Sequence, residues 1–245
     1  MNGQRTAGPA QPEPGPLSGV SWKAVAGFAV YALLLPLVLF VAAGRLDWPA
    51  AWACVGLHLA FTLGSRLLAL RLNPSVLAER ARFLEARNAK GWDRWLVALV
   101  ALLGPLLTWT VAGLDRRFAW SPPVAPALRW LALVAVALGY ALGTWAMVAN
   151  AFFSAVVRIQ EERGHAVVSE GPYRVVRHPA YAGGLVACLA TPVLLGSLWA
   201  LLPVAIMLAG IFVRTALEDR TLREELPGYA EYARRTRYRL LPGLW

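Results

Sequence analysis

WKAVAGFAVYALLLPLVLFVAA, residues 22–43, carries Lys23 at its start and no charge after it. As a helix it is about 33 Å long, enough to cross the roughly 30 Å hydrocarbon core of a bilayer. It has no polar face, so water has no side to occupy. The stretch predicts a membrane span, and Pro36 is tolerated inside it because neighbouring helices satisfy the freed carbonyl. A second run, Pro49 to Leu70, follows a short loop around Arg45 and Asp47, so the two form a hairpin. Further runs extend from Trp95 to about Gly113 and from Leu128 to about Phe152. The last, Leu185 to Val213, is too long for one span and is interrupted at Gly196–Ser197, which predicts two helices folded on each other. The fold class is all-α integral membrane, with five to six transmembrane helices and a pocket at the cytoplasmic side formed by the C-terminal half.

Composition agrees. Hydrophobic residues make up 58% of the chain, above the roughly 45–50% of soluble domains. Trp22, Trp48, Trp92, Trp120, Trp130 and Trp245 stand near run ends, where indole rings favour the membrane–water boundary. The net charge of +10 excludes little alone, but no nucleic-acid motif interleaves the basic residues, so nucleic acid is not an expected partner. Lys and Arg gather in the N-terminal tail, the Arg71–Arg94 linker, the Arg158–Arg177 loop and the C-terminal tail, leaving Arg45, Arg116, Arg117 and Arg129 for the other side. The positive-inside bias puts both termini in the cytoplasm, as in a bacterial inner membrane. Cys54 and Cys188 lie in separate apolar runs, and three dispersed histidines complete no metal set, so no metal is expected.

Three regions follow: a Pro/Gly-rich tail at 1–20, N-terminal helices with an interfacial linker at 21–149, and a chemistry-bearing module at 150–245. Within the linker, Val76, Leu77, Arg80, Phe83 and Leu84 have helical spacing, which predicts an amphipathic interfacial helix. Gly139 and Gly143 form a small-xxx-small pair for close helix contact. Val156 to Ser169 reads as a short β-hairpin or a loop on the membrane face.

The chemistry concentrates in GPYRVVRHPAYAGG, residues 171–184. Two Arg and a His sit between Pro-constrained turns, just before an apolar helix, where ionisable groups face a cavity or a partner. An interfacial anchor of Arg and Tyr is the plain alternative. RTALEDRTLREEL, residues 214–226, places Glu218 four residues from Arg214, either as an ion pair on one helix or as an acid facing a cationic ligand.

These segments together resemble the isoprenylcysteine carboxyl methyltransferase family, whose wider superfamily includes membrane phospholipid N-methyltransferases. The resemblance rests on Arg177-His178-Pro179-Ala180-Tyr181, then Glu218-Asp219-Arg220-Thr221-Leu222, then Tyr229-Ala230-Glu231-Tyr232, then Pro242. It covers about Asn150 to Trp245, and VRIQEERGHAVVSEGPY fits the bacterial branch. Asp219 departs from the usual second Glu. The resemblance implies S-adenosylmethionine as methyl donor, held without a Rossmann fingerprint, which this chain lacks. It implies donor contacts from Gln160, Arg177, His178, Tyr181, Gly183, Leu185 and Glu218, with catalytic roles for Glu218 and Arg235. Tyr229 and Tyr232 would close the site or orient the acceptor. Glu218 ranks above Asp219 for donor binding. The acceptor would be a lipophilic molecule or lipidated group entering from the bilayer, with carboxyl O-methylation favoured because a carboxylate needs no general base. A related NADPH-dependent membrane reductase and a non-catalytic lipid-binding protein are the competing classes. Oligomeric state stays open.

Overall fold

The computed structural model describes residues 22–81 and 88–245. Among these residues there is no strand, and nine α-helices follow in order. They are α1 (Trp22–Ala43), α2 (Pro49–Leu72), α3 (Pro74–Ala81), α4 (Asp93–Ala98), α5 (Gly104–Phe118), α6 (Pro126–Ala149), α7 (Pro179–Leu195), α8 (Leu201–Glu225) and α9 (Tyr229–Arg235). A π turn, Leu99–Leu103, fuses α4 and α5 into one rod. The N-terminal tail, Phe83 and Leu84 lie outside the described residues.

Among the described residues, five elements are long and apolar enough to cross a membrane: α1, α2, the α4–α5 rod, α6 and α8. Helix α7 is apolar but has only 17 residues, about 25 Å. Its ends show that it too runs the length of the bundle. At its start, the Arg177 and His178 N–H groups donate to the Tyr238 and Arg239 carbonyls, beyond the end of α8. Past its far end, Ser197 donates to Asp115 near the end of α5. The α7–α8 hairpin turns at Gly196, whose φ of 73° suits glycine. Val156–Ser169 is a loop with one 3₁₀ turn, Glu161–Arg163, so the loop alternative holds.

Leu33, Leu37 and Val41 on α1, Leu131, Val134 and Leu138 on α6, and Leu202 and Ile206 on α8 are exposed at helical spacing. Such stripes suit a lipid-facing surface. The opposite end of the bundle is clasped by Asp115, which accepts the Ser121 N–H at 2.8 Å and the Ser121 and Ser197 hydroxyls at 2.5 Å each.

The tightest contact joins α6 and α7. A Cβ added at Gly183 would stand 2.4 Å from the Gly139 carbonyl oxygen, and one at Gly139 would stand 2.5 Å from the Gly183 oxygen. The small-residue pair expected on α6 thus has its partner on α7. Gly183 was expected to let a ligand approach, and this is corrected: its bare face is filled by α6. Gly183→Val should force the helices apart and lower stability by about 1–3 kcal/mol or more. A thermal midpoint in detergent equal to that of the parent chain would contradict the packing.

Candidate active site

Pro179 opens α7 at a position whose N–H has no helical partner, and His178 caps it from outside. Because the preceding backbone is pinned to residues 238 and 239, both side chains are fixed at the bundle end. The Arg177 guanidinium turns inward. Its Nε and Nη2 donate to Asp219 Oδ1 at 2.6 Å and Oδ2 at 3.1 Å. Its Nη1 donates to the carbonyls of Thr236 and Arg237 at 2.7 Å each. Arg177, expected to support a donor carboxylate, is thereby committed to the protein and acts as a strut.

Asp219 is the centre of this strutwork. It is fully buried and also accepts from Arg223 Nε at 3.0 Å, Arg239 Nε at 3.0 Å and the Tyr229 hydroxyl at 3.1 Å. The acid that departs from the family pattern is the one the local structure is built on.

Beside it lies a second cluster with unused capacity. Tyr181 donates its hydroxyl to Glu218 Oε2 at 2.6 Å. The His178 and Tyr181 rings stack with centroids 5.8 Å apart. His178 is buried, yet its Nε2 has no hydrogen-bond partner among the described residues. Asp219 Oδ1 faces that nitrogen at 3.5 Å, at the outer limit of a hydrogen bond. Glu218 Oε1 lies 4.0 Å from His178 Nδ1, and the side chain is 23% exposed. The His178 ring thus turns Nε2 toward Asp219 and Nδ1 toward the Glu218 carboxylate that holds the Tyr181 phenol.

Arg214 completes the cluster from a direction the sequence did not reveal. Its guanidinium carbon sits 5.4 Å from the Tyr181 ring centroid. It does not pair with Glu218, as the one-helix reading of these two residues allowed. It binds Asp93 through Nε at 2.7 Å and Nη2 at 3.1 Å, and the Ala155 carbonyl at 2.9 Å. Asp93, fully buried at the start of α4, also accepts the Val157 N–H at 2.7 Å. Sequence reasoning missed Asp93. Its one signal was an acid at the head of an apolar run.

The other expected residues fall elsewhere. Leu185 packs in a core cluster with Val204, Met207 and Ile211, against which Tyr181 also packs. Arg235 is exposed and pairs with Glu231 on α9. Tyr232 is buried and donates to the Tyr173 carbonyl at 2.7 Å, while Tyr229 is committed to Asp219. Burial pushes the Tyr232 phenol up to about 12. Gln160 is buried, donates to the Phe152 carbonyl at 2.7 Å and accepts from Arg163, so it organises the 150–170 loop. Glu79 on α3 anchors that loop by accepting from Arg158 at 2.9 and 2.8 Å.

His165 gives the loop a pH response. Burial, then the Arg158 and Arg163 charges, depress it to about 4. Its ordinary value is about 6.5, so the opened loop takes a proton first as pH falls. Loop stability is therefore present above about 6.5 and lost progressively toward about 4. Limited proteolysis should show cleavage within 150–170 rising across that window, and His165→Asn should flatten the response. A parent profile without pH dependence would contradict it.

Residues 130–224 match the isoprenylcysteine carboxyl methyltransferase (ICMT) family. Protein-S-isoprenylcysteine O-methyltransferase B of Arabidopsis thaliana is 31% identical over 106 residues, covering 42% of this chain and 54% of its own length. A probable protein-S-isoprenylcysteine O-methyltransferase of Oryza sativa subsp. indica is 37% identical over 67 residues, 27% of this chain and 35% of its own. The cobalt-zinc-cadmium resistance protein CzcN of Cupriavidus metallidurans is 31% identical over 116 residues, 46% of this chain and 49% of its own. The chain spans about half the length, or less, of the curated relatives it matches. The matched segment, residues 130–224 of this integral membrane chain, contains His178, Tyr181, Arg214, Glu218 and Asp219.

Proposed function

We propose that the chain is a membrane methyltransferase that carries the methyl group of S-adenosylmethionine to the carboxylate of a lipophilic acceptor. The observation that carries this reading is the cluster of His178, Tyr181 and the partly exposed Glu218 inside the family-matched segment, where Glu218 Oε1 has no hydrogen bond among the described residues. A carboxylate at the membrane margin favours a ligand of opposite charge. The donor has hydroxyl and ammonium groups that fit the free Glu218 Oε1, and acceptor atoms that fit an imidazole N–H.

When bound, the donor supplies an electrophilic methyl on a cationic sulfur. The chain's own work is placement. Glu218 orients Tyr181 through their 2.6 Å bond, and Arg214 holds the face of the Tyr181 ring. Asp219 and Arg177 hold the turn that carries His178. The apolar bundle keeps water from the reacting atoms. A carboxylate acceptor arrives ionised at neutral pH, so alignment suffices and no general base is required. The site and both termini lie on the cytoplasmic face, in this reading of a bacterial inner membrane, since the basic segments gather there.

Calorimetry on the detergent-purified protein tests the donor assignment. S-adenosylmethionine and S-adenosylhomocysteine should bind and NADPH should not. His178→Ala should weaken donor binding about ten-fold, the equivalent of one hydrogen bond. Donor titrations unchanged by His178→Ala, or preference for NADPH, would remove the proposal. Cysteines placed at positions 165 and 235 should react with impermeant reagents only from the cytoplasmic side, and labelling from outside would reverse the topology.

A further inference from the structure

We propose that Arg66 and Arg80, from the helices that precede the family-matched segment, form a subsite for the anionic head of a long-chain carboxylate. The identification of that carboxylate as the acceptor rests on the methyltransferase reading; the binding itself does not.

The two arginines differ from the chain's other deep arginines. Arg158, Arg177 and Arg214 each face a carboxylate at 2.6–2.8 Å. Among the described residues, the only hydrogen bond of Arg66 is to the Ser65 hydroxyl at 3.1 Å, and Arg80 has none. Aromatic faces take the place of acids. Arg66 lies 4.7 Å from the Phe28 ring centroid, and Arg80 lies 5.5 Å from that of Phe153. Both side chains are only partly exposed. Arg66 sits within the α2 span, about 9 Å of helical rise before its end at Leu72. A guanidinium at that depth is expensive unless it faces a cavity or a partner of opposite sign.

Ala69 of α2 and Val76 of α3 share one buried cluster with Met147, so Arg66, a turn before Ala69, and Arg80, a turn beyond Val76, come from facing positions of the two helices. Both charges act on the Tyr31 hydroxyl, which is fixed at 3.0 Å to the Ala101 carbonyl in the π turn. Arg80 in turn feels Arg66, Arg214 and Tyr181. Burial and the like charges of Arg66 and Arg214 pull the Arg80 guanidinium below its usual value. One anion between the two arginines relieves burial and mutual repulsion together, while its chain lies among the apolar helices. A divalent metal or a cationic amine would worsen both.

The test uses the full chain in nanodiscs of zwitterionic lipid. Hexadecanoate at alkaline pH, where it is ionised, should bind at least about ten-fold more tightly than hexadecanamide, which has the same shape and no charge. The Arg66→Gln/Arg80→Gln double variant should lose that preference, and Arg66→Lys/Arg80→Lys should recover much of it. Retained S-adenosylmethionine binding by the Gln variant, or an unchanged thermal midpoint, shows that it is folded. Equal binding of acid and amide by the parent chain overturns the proposal, as does a preference that survives in the folded Gln variant. Abolition of hexadecanoate binding by phosphatidylglycerol nanodiscs also overturns it, because a phospholipid headgroup is then the occupant. Failure of the parent chain to bind S-adenosylmethionine counts against the methyltransferase reading alone.

Discussion

Asp219→Asn should unfold the end of the bundle that carries α9 and abolish donor binding with it. The substitution keeps size and shape but removes the charge that Arg177, Arg223 and Arg239 share. Arg177 is then left buried with only carbonyl partners. Breaking a buried ion pair from one side costs about 3–5 kcal/mol, since the remaining charge keeps its desolvation penalty. The Tyr229 hydroxyl also loses its acceptor's charge, loosening α9. Glu218→Gln makes the informative contrast. Its side chain is partly exposed and holds one phenol, so the fold should survive while donor affinity falls. Thermal unfolding and calorimetry on the two variants separate the roles. A stable Asp219→Asn chain that binds donor normally would leave Asp219 without the role its contacts give it. The sequence-based ranking of Glu218 above Asp219 is thus split by the geometry: Asp219 bears on the fold, and Glu218 bears on the ligand.

Asp93→Ala should have a comparable effect from the other half of the chain. It strands Arg214 against the Tyr181 ring and leaves the Val157 N–H without its acceptor, again about 3–5 kcal/mol. Asp93→Leu with Arg214→Met replaces both charges by apolar groups and should recover most of the stability. That double variant should still be impaired in turnover if Arg214 serves the site as well as the fold. Full recovery of both properties would reduce the pair to a structural tie. The residue lies outside the family-matched segment, so the result also measures how far the N-terminal half is built into the site.

The spans were legible because each apolar run is long, nearly uncharged and bounded by Trp or Arg, and α1 starts and ends where the hydrophobic run does. The α7–α8 hairpin was legible from Gly196 and Ser197, since a glycine in left-handed conformation is what closes it. His178, Tyr181 and Glu218 were legible as a motif, and the structure brings them together across 37 residues of sequence between Tyr181 and Glu218. The ion pairs were not. Asp93 and Arg214 are 121 positions apart, and Glu79 and Arg158 are 79 apart. No local charge pattern reports such distances, and Arg214 had a nearer acid, Glu218, to suggest the wrong partner. Gly183 was misread for a related reason. A missing side chain looks the same in sequence whether the vacated space receives a ligand or another helix.

The π turn at Leu99–Leu103 carries a consequence for chain length. There the Gly104 N–H reaches back five residues to the Leu99 carbonyl, so the turn holds one residue more than an α-turn. One surplus residue corresponds to about 100° of rotation. On an unbroken helical wheel Asp93 and Gly104, which abuts Met207 of α8, stand about 20° apart, and the surplus residue turns one against the other by about 100°. Removing one residue from 99–103 should turn the rod into plain α-helix while leaving both orientations nearly intact. The same deletion two turns to either side would rotate one end out of phase with its partner. This short segment is the span's point of tolerance to insertion and deletion, which makes it a natural seam between the membrane scaffold and the machinery it holds.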